Sequence, residues 1–497
     1  MCAGIVGVAR YRARRSREGG SERMSATTYL ELSEAGGGAH KFYEVRVAGT
    51  EVTITYGRIG EQGQVRSASF ADHAKALKAA EKKIGEKVRR GYAPAVKGMR
   101  QRRAVSRRQI VSTRSTAHQA PVLWRFASGA PAFGIFIGED QAWVGNEKGD
   151  VYTLTHDGRV TGRFGLPDAV KCIVADDFWI YAGCDDGQVY DLGAKVPRVA
   201  YEIAEDVDIY WLDIHDGVLG VSDRQGRVTV VDHEDEFQWS CPATGDSAWM
   251  VRCSADGVFH GHSRGVTHYT GRGHRAWHAD TVGEVLFGWQ ERTEVFAGTS
   301  RGWVHRFAKA DGRKTGDYRC DAAVFSCATS PDGEFVFAGD NQSSVYCFAA
   351  DGTRLWKLAT GCGSAFSMQY RDERLYLVTT DGSLACLDAS PAAVRAAEQG
   401  QLPQRQDIKA GAIDRVEATA EVEVVSHVAP GDGVVVECVQ EGGRIRVHVV
   451  SDGYDRSWGV QFPKNIRVPG ARYLVSEVVT SAGGSFYRTR GEIKRLR

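Results

Sequence analysis

The sequence contains no run of about 18 apolar residues, so no stretch is suited to span a bilayer as a helix. Its eleven cysteines, scattered from Cys2 to Cys438, include no C-x-x-C pair. An odd and dispersed set argues against a disulfide framework or a zinc ribbon and points to reduced thiols in the cytoplasm, with association to the nucleoid as a further expectation. Proline is scarce, with 12 residues, and methionine scarcer, with five, while glycine reaches 58; tight turns between short strands are expected rather than long helices. No G-x-S-x-G, H-E-x-x-H or P-loop pattern occurs, and no serine or cysteine nucleophile can be singled out. The expectation is a protein that is not an enzyme and needs neither cofactor nor metal.

What the chain does have is length and a hidden charge asymmetry. At 497 residues it exceeds the usual single domain about threefold, so two to four domains are expected. The net charge is only +1, yet residues 1–120 hold 24 Lys and Arg against 10 Asp and Glu, residues 121–390 hold 24 against 39, and residues 391–497 hold 15 against 13. A basic front joined to an acidic body is the pattern of a chain in which one part touches polyanions and another does not.

Residues 1–23 carry six arginines and no apolar core for secretion. They read as a disordered basic arm or as a start placed too early, with Met24 opening an ordinary chain. Residues 24–94 form the first domain. From Lys41 the run KFYEVRVAGTEVTITYGRIGEQGQVRSASF reads as three short alternating strands punctuated at Ala48-Gly49, Gly57, Gly60 and Gly63. A helix follows, capped by Asp72, with Ala74, Leu77, Ala80, Ile84 and Val88 as its apolar stripe and Gly91 as its stop. Away from that stripe lie Lys75, Lys78, Lys82, Lys83, Lys87, Arg89 and Arg90, opposed within the helix only by Glu81 and Glu86.

This order of residues resembles the WGR domain, across about sixty residues from the KFYEV strand through Tyr56-Gly57-Arg58 to the GEKVRRGY helix end. The resemblance implies a nucleic-acid surface, DNA ends or nicks rather than RNA, with the motif aromatic near the polymer end and the motif Arg on the backbone. Here those positions are Tyr56 and Arg58. Tyr replaces Trp, which leaves a smaller stacking face and adds a hydroxyl. On general grounds, an aromatic plane beside a guanidinium can stack on a base or sugar while the cation holds phosphate. Residues 95–120 form a linker that carries seven cations from Lys97 to Arg114 and no acid, so it reads as a disordered tether that adds salt-dependent phosphate affinity.

Residues 121–390 contain seven repeats of an apolar strand, a polar turn and a second strand, with turn positions at Gly149, Gly187, Gly226, Gly265, Gly302, Ser344 and Gly382, 37 to 42 residues apart. One four-stranded blade per repeat gives a seven-bladed β-propeller, and the orphan strand 122–126 is expected to complete the seventh blade. The blades resemble the WD40 and quinoprotein-like propellers in architecture, without a GH…WD signature. An acidic ring favours protein partners. His260 and His262 alternate on one strand and share a face where a transition metal can sit, but the spacing beyond that pair is irregular and ordinary strand histidines are the simpler reading.

Residues 391–411 read as a linker and 412–497 as a small β-rich domain in which aromatics alternate with Arg467, Arg472, Arg488, Arg490, Lys494 and Arg495. A second nucleic-acid contact there is an alternative to a plain aromatic core. The fold class expected is mostly β and multidomain: a small α+β WGR-like domain, a seven-bladed propeller and a C-terminal β-rich domain. The function expected is a nucleic-acid-binding adaptor that recruits proteins through the propeller. Its rivals are a pure protein scaffold, and an enzyme or small-molecule sensor built on the propeller channel.

Overall fold

The computed structural model describes residues 25–32, 41–58, 64–90, 92–95, 115, 117–203, 209–223, 225–234, 237–242, 245–331, 333–428 and 431–497. The basic arm and nearly all of the basic linker lie outside the described residues. Residues 1–103 and 104–497 are two compact units, and each is described by itself.

In the first unit β1 (Ser25–Leu32), β2 (Lys41–Ala48), β3 (Glu51–Arg58), β4 (Gln64–Ser69) and the short β5 (Ala93–Pro94) form an antiparallel sheet in the order β4-β3-β2-β1-β5, and α1 (His73–Val88) packs on it. Tyr43 lies opposite Tyr56, Val45 opposite Ile54 and Val47 opposite Val52. Two alternating runs in this register place their apolar side chains on a common face. Ala76 and Ala80 of α1 are buried against that face, with Leu77 and Ile84 partly so. The Asp72 carboxylate accepts the backbone N–H of Lys75 at 2.7 Å and caps the helix as expected.

Two expectations for this unit are corrected, and one strand is added to it. Ala74 is exposed and Val88 is 46% exposed, because the inward row runs 76, 80, 84, 87 and so places Lys87, not Val88, at the sheet end. Gly57 is no turn: β3 continues through it to Arg58. The stretch before Lys41 supplies a strand, β1, which pairs along its whole length with β2. Gly60, Gly63 and Gly91 lie outside the described residues.

The second unit contains seven antiparallel four-stranded sheets in chain order, within 132–165, 170–202, 209–241, 250–280, 285–319 and 324–359, with the seventh built from both ends of the region. This is a seven-bladed β-propeller. Its closing blade joins Ala365–Arg371, Arg374–Thr379 and Ser383–Asp388 to Val122–Ala127, with Leu384 opposite Phe126 and Cys386 opposite Trp124. Ring closure by the strand at 122–127 matches the sequence expectation.

The repeat has a local physical basis. Before the turn between the second and third strands, in every blade but the second, a side chain caps the turn's N–H groups; in the second blade Cys184 holds that place and Asp186 inside the turn accepts the Gln188 N–H. Asn146 Oδ1 accepts from Lys148 and Asp150, Asp223 Oδ1 from Gln225 and Arg227, and Asp340 Oδ1 from Gln342 and Ser344. Thr299 and Thr379 do so through a hydroxyl. The turn then needs a left-handed residue. At Gly149, φ is +79° and a Cβ would stand 2.3 Å from the Leu166 carbonyl oxygen. In the sixth blade that residue is Ser343, φ +62°, so the turn sits one position before the Ser344 expected from sequence.

Residues 391–411, expected as a linker, carry a helix, Pro391–Glu398, and a strand, Gln406–Ile408, which pairs in parallel with the outer strand of the seventh blade. Arg415–Glu417 does the same on the first blade. The chain then enters a sheet of Val424–Val425, Tyr487–Leu496, Arg472–Thr480, Val434–Glu441 and Arg444–Val449, in that order. Its core is formed by Val436, Cys438, Val447, Phe462, Tyr473 and Tyr487 among others.

Candidate nucleic-acid interface

The proposed motif lies at the end of β3. Tyr56 faces the same side of the sheet as Tyr43, with ring centroids 6.2 Å apart. Its hydroxyl donates to Gln64 Oε1 at 3.0 Å, and the Arg66 guanidinium carbon stands 5.7 Å from its ring centroid. The ring is therefore half-buried, held between a core tyrosine and a cation, and not a free stacking plane. Gly57 is half-buried in the strand. Arg58 closes the strand, and its side chain lies outside the described residues.

The helix sorts the remaining residues into two rows, because positions three and four apart share a face. Lys75, Lys78, Lys82 and Arg89 form an outer exposed row. Lys75 lies 3.6 Å from Asp72, whereas Lys78 and Lys82 have no ion pair among the described residues. Lys83, Lys87 and Arg90 continue the row that begins with buried Ala76 and Ala80. Lys83 reaches Glu86 at 3.5 Å. The Lys87 ammonium lies 4.5 Å from the Tyr43 centroid and 5.1 Å from that of Tyr92, so it is placed against aromatic rings and not on the exposed face expected for it. Burial first, and then the charges of Arg90, Lys41 and Lys83, lower the Lys87 pKa against the opposing effect of Glu86. Burial likewise raises the Tyr43 hydroxyl, with Glu86 adding to it.

Lys83, Lys87 and Arg90 thus gather at the Tyr43–Tyr56 end of the sheet. Lys75 belongs to the other end, where His73 Nδ1 lies 2.6 Å from the Gly49 carbonyl oxygen. At about 1.5 Å rise per residue, roughly 18 Å along the axis separates Lys75 from Lys87. The sequence reading missed Gln64, Arg66, Lys41, Tyr43 and Tyr92 as members of this end. The signal for the first two was available: once Tyr56 is paired with Gln64, alternation puts Arg66 on the same face. The opposite face of the sheet carries Glu31, Glu44 and Glu51 against Arg46, so the two faces differ in charge as well as in cover.

Other candidate clusters are absorbed by structure. In the C-terminal sheet Arg472 pairs with Glu437, Arg490 with Glu477 and Lys494 with Glu423, Arg467 donates to the Phe462 carbonyl, and Arg488 is buried. Its aromatics Phe462, Tyr473, Phe486 and Tyr487 are buried, which favours the aromatic-core reading over a second nucleic-acid contact. His260 and His262 are both fully buried; His262 Nδ1 accepts the Arg264 N–H and fills the turn-capping slot held by Asp, Asn or Thr in other blades. No group of three or more metal-ligating side chains occurs among the described residues. On the first strands of the blades, Leu286, Phe325 and Phe366 pack with Phe133 and Trp249 in an apolar cluster, while Lys171 at the equivalent place in the second blade is buried and paired with Asp185 at 3.2 Å.

Comparison with known proteins agrees with this geometry at the front unit. The WGR domain family matches residues 26–99. Protein YehF of Escherichia coli (strain K12) is 44% identical over 59 residues, 12% of this chain and 22% of that protein. Among solved structures, the chain is similar to the computationally designed Ika8 protein, with a TM-score of 0.46 and 12% identity over 54% of this chain and 99% of the other. It is also similar to the WD40 β-propeller domain of Doa1, with a TM-score of 0.44 and 13% identity over 57% of this chain and 98% of the other. The family match places a WGR domain at residues 26–99, and the strand pairing described above makes the region after it a propeller. Among the described residues, no helix is long and apolar enough to cross a membrane.

Proposed function

We propose that this protein is a non-enzymatic adaptor that binds nucleic acid, DNA ends or nicks above all, through its WGR domain, and recruits protein partners through the propeller. The observation that carries this reading is the cationic, tyrosine-lined end of the domain, where Lys83, Lys87, Arg90 and Arg66 surround Tyr43 and Tyr56. Burial first, and then the like charges of Arg90, Lys41 and Lys83, hold the Lys87 pKa down, and a phosphate there would relieve the repulsion among those cations. Arg58 is assigned to the backbone contact by the family resemblance.

The test is duplex binding with and without a 5′-phosphate across a salt series. Each phosphate contact should add about 0.9 to the log–log salt slope. Tyr56→Ala with Arg58→Ala should weaken binding, and absence of binding at low salt would reject the reading. A second reading is favoured by one observation: the Tyr56 hydroxyl is bonded to Gln64 and its ring lies beside both Tyr43 and Arg66, as in a purely structural residue. On that reading the surface docks a protein, and partner capture would survive nuclease treatment with no retention on DNA.

A further inference from the structure

Lys87 differs from every other lysine of α1 in what surrounds its amine. Lys75 and Lys83 pair with Asp72 at 3.6 Å and Glu86 at 3.5 Å, and Lys78 and Lys82 are exposed. Lys87 is half-buried and has no ion pair among the described residues. Its Nζ lies 4.5 Å from the Tyr43 ring centroid and 5.1 Å from that of Tyr92, two rings set edge to face at 6.3 Å. The Lys87 backbone carbonyl accepts the Tyr92 N–H at 3.1 Å, so the second ring is fixed to the residue whose amine it meets.

Cations stand on the remaining sides. Lys83 precedes Lys87 by one turn on the same helix row, and the Arg90 N–H closes on the Lys87 carbonyl at 2.9 Å. Lys41 lies two residues before Tyr43 on the same face of β2 and directly opposite Arg58 in β3. The carboxylate that acts on Lys87, that of Glu86, is shared with Lys83. Such a cluster attracts small anions. An amine drawn from water against apolar rings and beside other cations also loses its proton more readily, and the free base is a nucleophile. Burial first, and then Arg90, Lys41 and Lys83, lower the Lys87 pKa, in agreement with this placement.

We propose that Lys87 is a site of acylation by acyl phosphates, small anions that the surrounding cations hold against the amine. The neutral Nζ attacks the acyl carbonyl carbon. The C–N bond forms, the bond from that carbon to the phosphate oxygen breaks, the phosphate leaves with the bonding pair, and the surplus proton of the amine passes to water. The product is an uncharged amide, which removes a cation from the surface and the cation–π contact with both tyrosines. The regulatory consequence, weaker hold on DNA by the acylated protein, rests on the nucleic-acid reading above. The modification itself does not.

The test treats the full chain with acetyl phosphate near neutral pH and follows each lysine by peptide mass spectrometry. Lys87 is expected to acetylate at least about fivefold faster than Lys78 and Lys82, which share its helix but not its surroundings. Inorganic phosphate, compared with chloride at matched ionic strength, competes for the same cations and should slow Lys87 while leaving Lys78 and Lys82 unchanged. With N-acetylimidazole, an uncharged reagent, phosphate should have no effect on Lys87. Lys83→Ala with Arg90→Ala should lower the Lys87 rate, with helix content checked by far-ultraviolet circular dichroism. Equal rates at Lys87, Lys78 and Lys82, or a Lys87 rate indifferent to phosphate, would overturn the proposal, and both are read on the unaltered chain whether or not the double variant folds. Duplex DNA added to the same reaction separates the two readings. Protection of Lys87 supports the nucleic-acid surface, whereas phosphate-sensitive acetylation without protection upholds the modification site and counts against that surface.

Discussion

His260 lies at the centre of the fourth blade, fully buried, with neither ring nitrogen hydrogen-bonded. Burial first, and then the neighbouring His262 imidazole 5.6 Å away, lower its pKa to about 3. Unfolded, the same side chain titrates near 6.5. Because the folded pKa is depressed, the neutral folded state is favoured above pH 6.5, and this advantage is lost as pH falls from 6.5 toward 3. Linkage from those two values gives a loss of about 2 kcal/mol between pH 7 and pH 5 from this one residue. His262, lowered to about 4, adds a similar slope in the same window, so the contribution of His260 must be taken as a difference. The perturbation is His260→Leu, close in volume and without polar atoms. All 11 tryptophans lie between Trp124 and Trp458, so tryptophan emission follows unfolding of the propeller and tail without a signal from the WGR domain. Urea titrations at pH 7 and pH 5 should show the variant more stable at pH 7, by about 1–3 kcal/mol for the unsatisfied imidazole removed. The variant should also lose about 2 kcal/mol less than the parent on acidification. Equal acid slopes in the two proteins would refute the argument, since an imidazole that gains no protons on unfolding cannot be buried and neutral.

Arg488→Met removes the buried partner of Asp176 and should cost about 3–5 kcal/mol in the same tryptophan-monitored unfolding, tempered by the N–H groups of Asp216 and Gly217 that Asp176 also accepts. Gly149→Ala puts a Cβ against the Leu166 carbonyl in a left-handed turn and should cost at least about 2 kcal/mol, whereas Gly49→Ala, equally left-handed but with open space around its Cβ, should cost about 1–2 kcal/mol of WGR-domain stability by thermal melting. Lys87→Met should change that melting by no more than about 1 kcal/mol, the upper end for a partly exposed ammonium over aromatic rings, yet reduce the DNA salt slope by about 0.9 if Lys87 meets a phosphate.

The propeller was legible because its information is local and repeated seven times: each blade announces its own turn, and even the closing strand at 122–127 can be matched to the outer strand it imitates. The sixth turn was misplaced by one residue because Ser343-Ser344 offers two identical candidates where the other blades show glycine, and only the backbone reveals that Ser343 is the left-handed one. In the WGR domain the order of elements could be read, but not the rotation of the helix. Ala74 and Ala76 look alike in sequence, and the choice between them decides whether Val88 or Lys87 meets the sheet. The contacts of Tyr56 were hidden for a related reason. They follow from strand register, and register is set by a sheet whose first strand, Ser25–Leu32, carries no turn signal to mark it.

The least legible feature is the one that ties the second unit together. Seven blades closed by a single strand from the far end of the chain leave a seam between blades seven and one, and the outer strand of each blade is an open edge. After the ring closes, the chain runs back across that seam. Gln406–Ile408 lies on the outer edge of Val122–Ala127, Arg415–Glu417 lies on the outer edge of Val160–Gly165, and Arg198 of the second blade holds the carbonyls of Thr419 and Glu421. The C-terminal sheet then locks to the second and third blades through Arg488 on Asp176 and Trp179, Gln461 on Tyr181 and Tyr201, and the Asp216 carboxylate on the N–H groups of Ala482 and Gly483. Each of the two parallel strands is only three residues long and has no buried residue, so neither carries an alternating pattern that could be read in advance. Their stability comes from a partner strand some 250 to 280 residues earlier in the chain. For the same reason the segment spans the seam and is not a free spacer: separating blade seven from blade one requires stripping it from at least one of its two partner strands, and the buried Arg488 anchor raises the cost of peeling it away from the second blade.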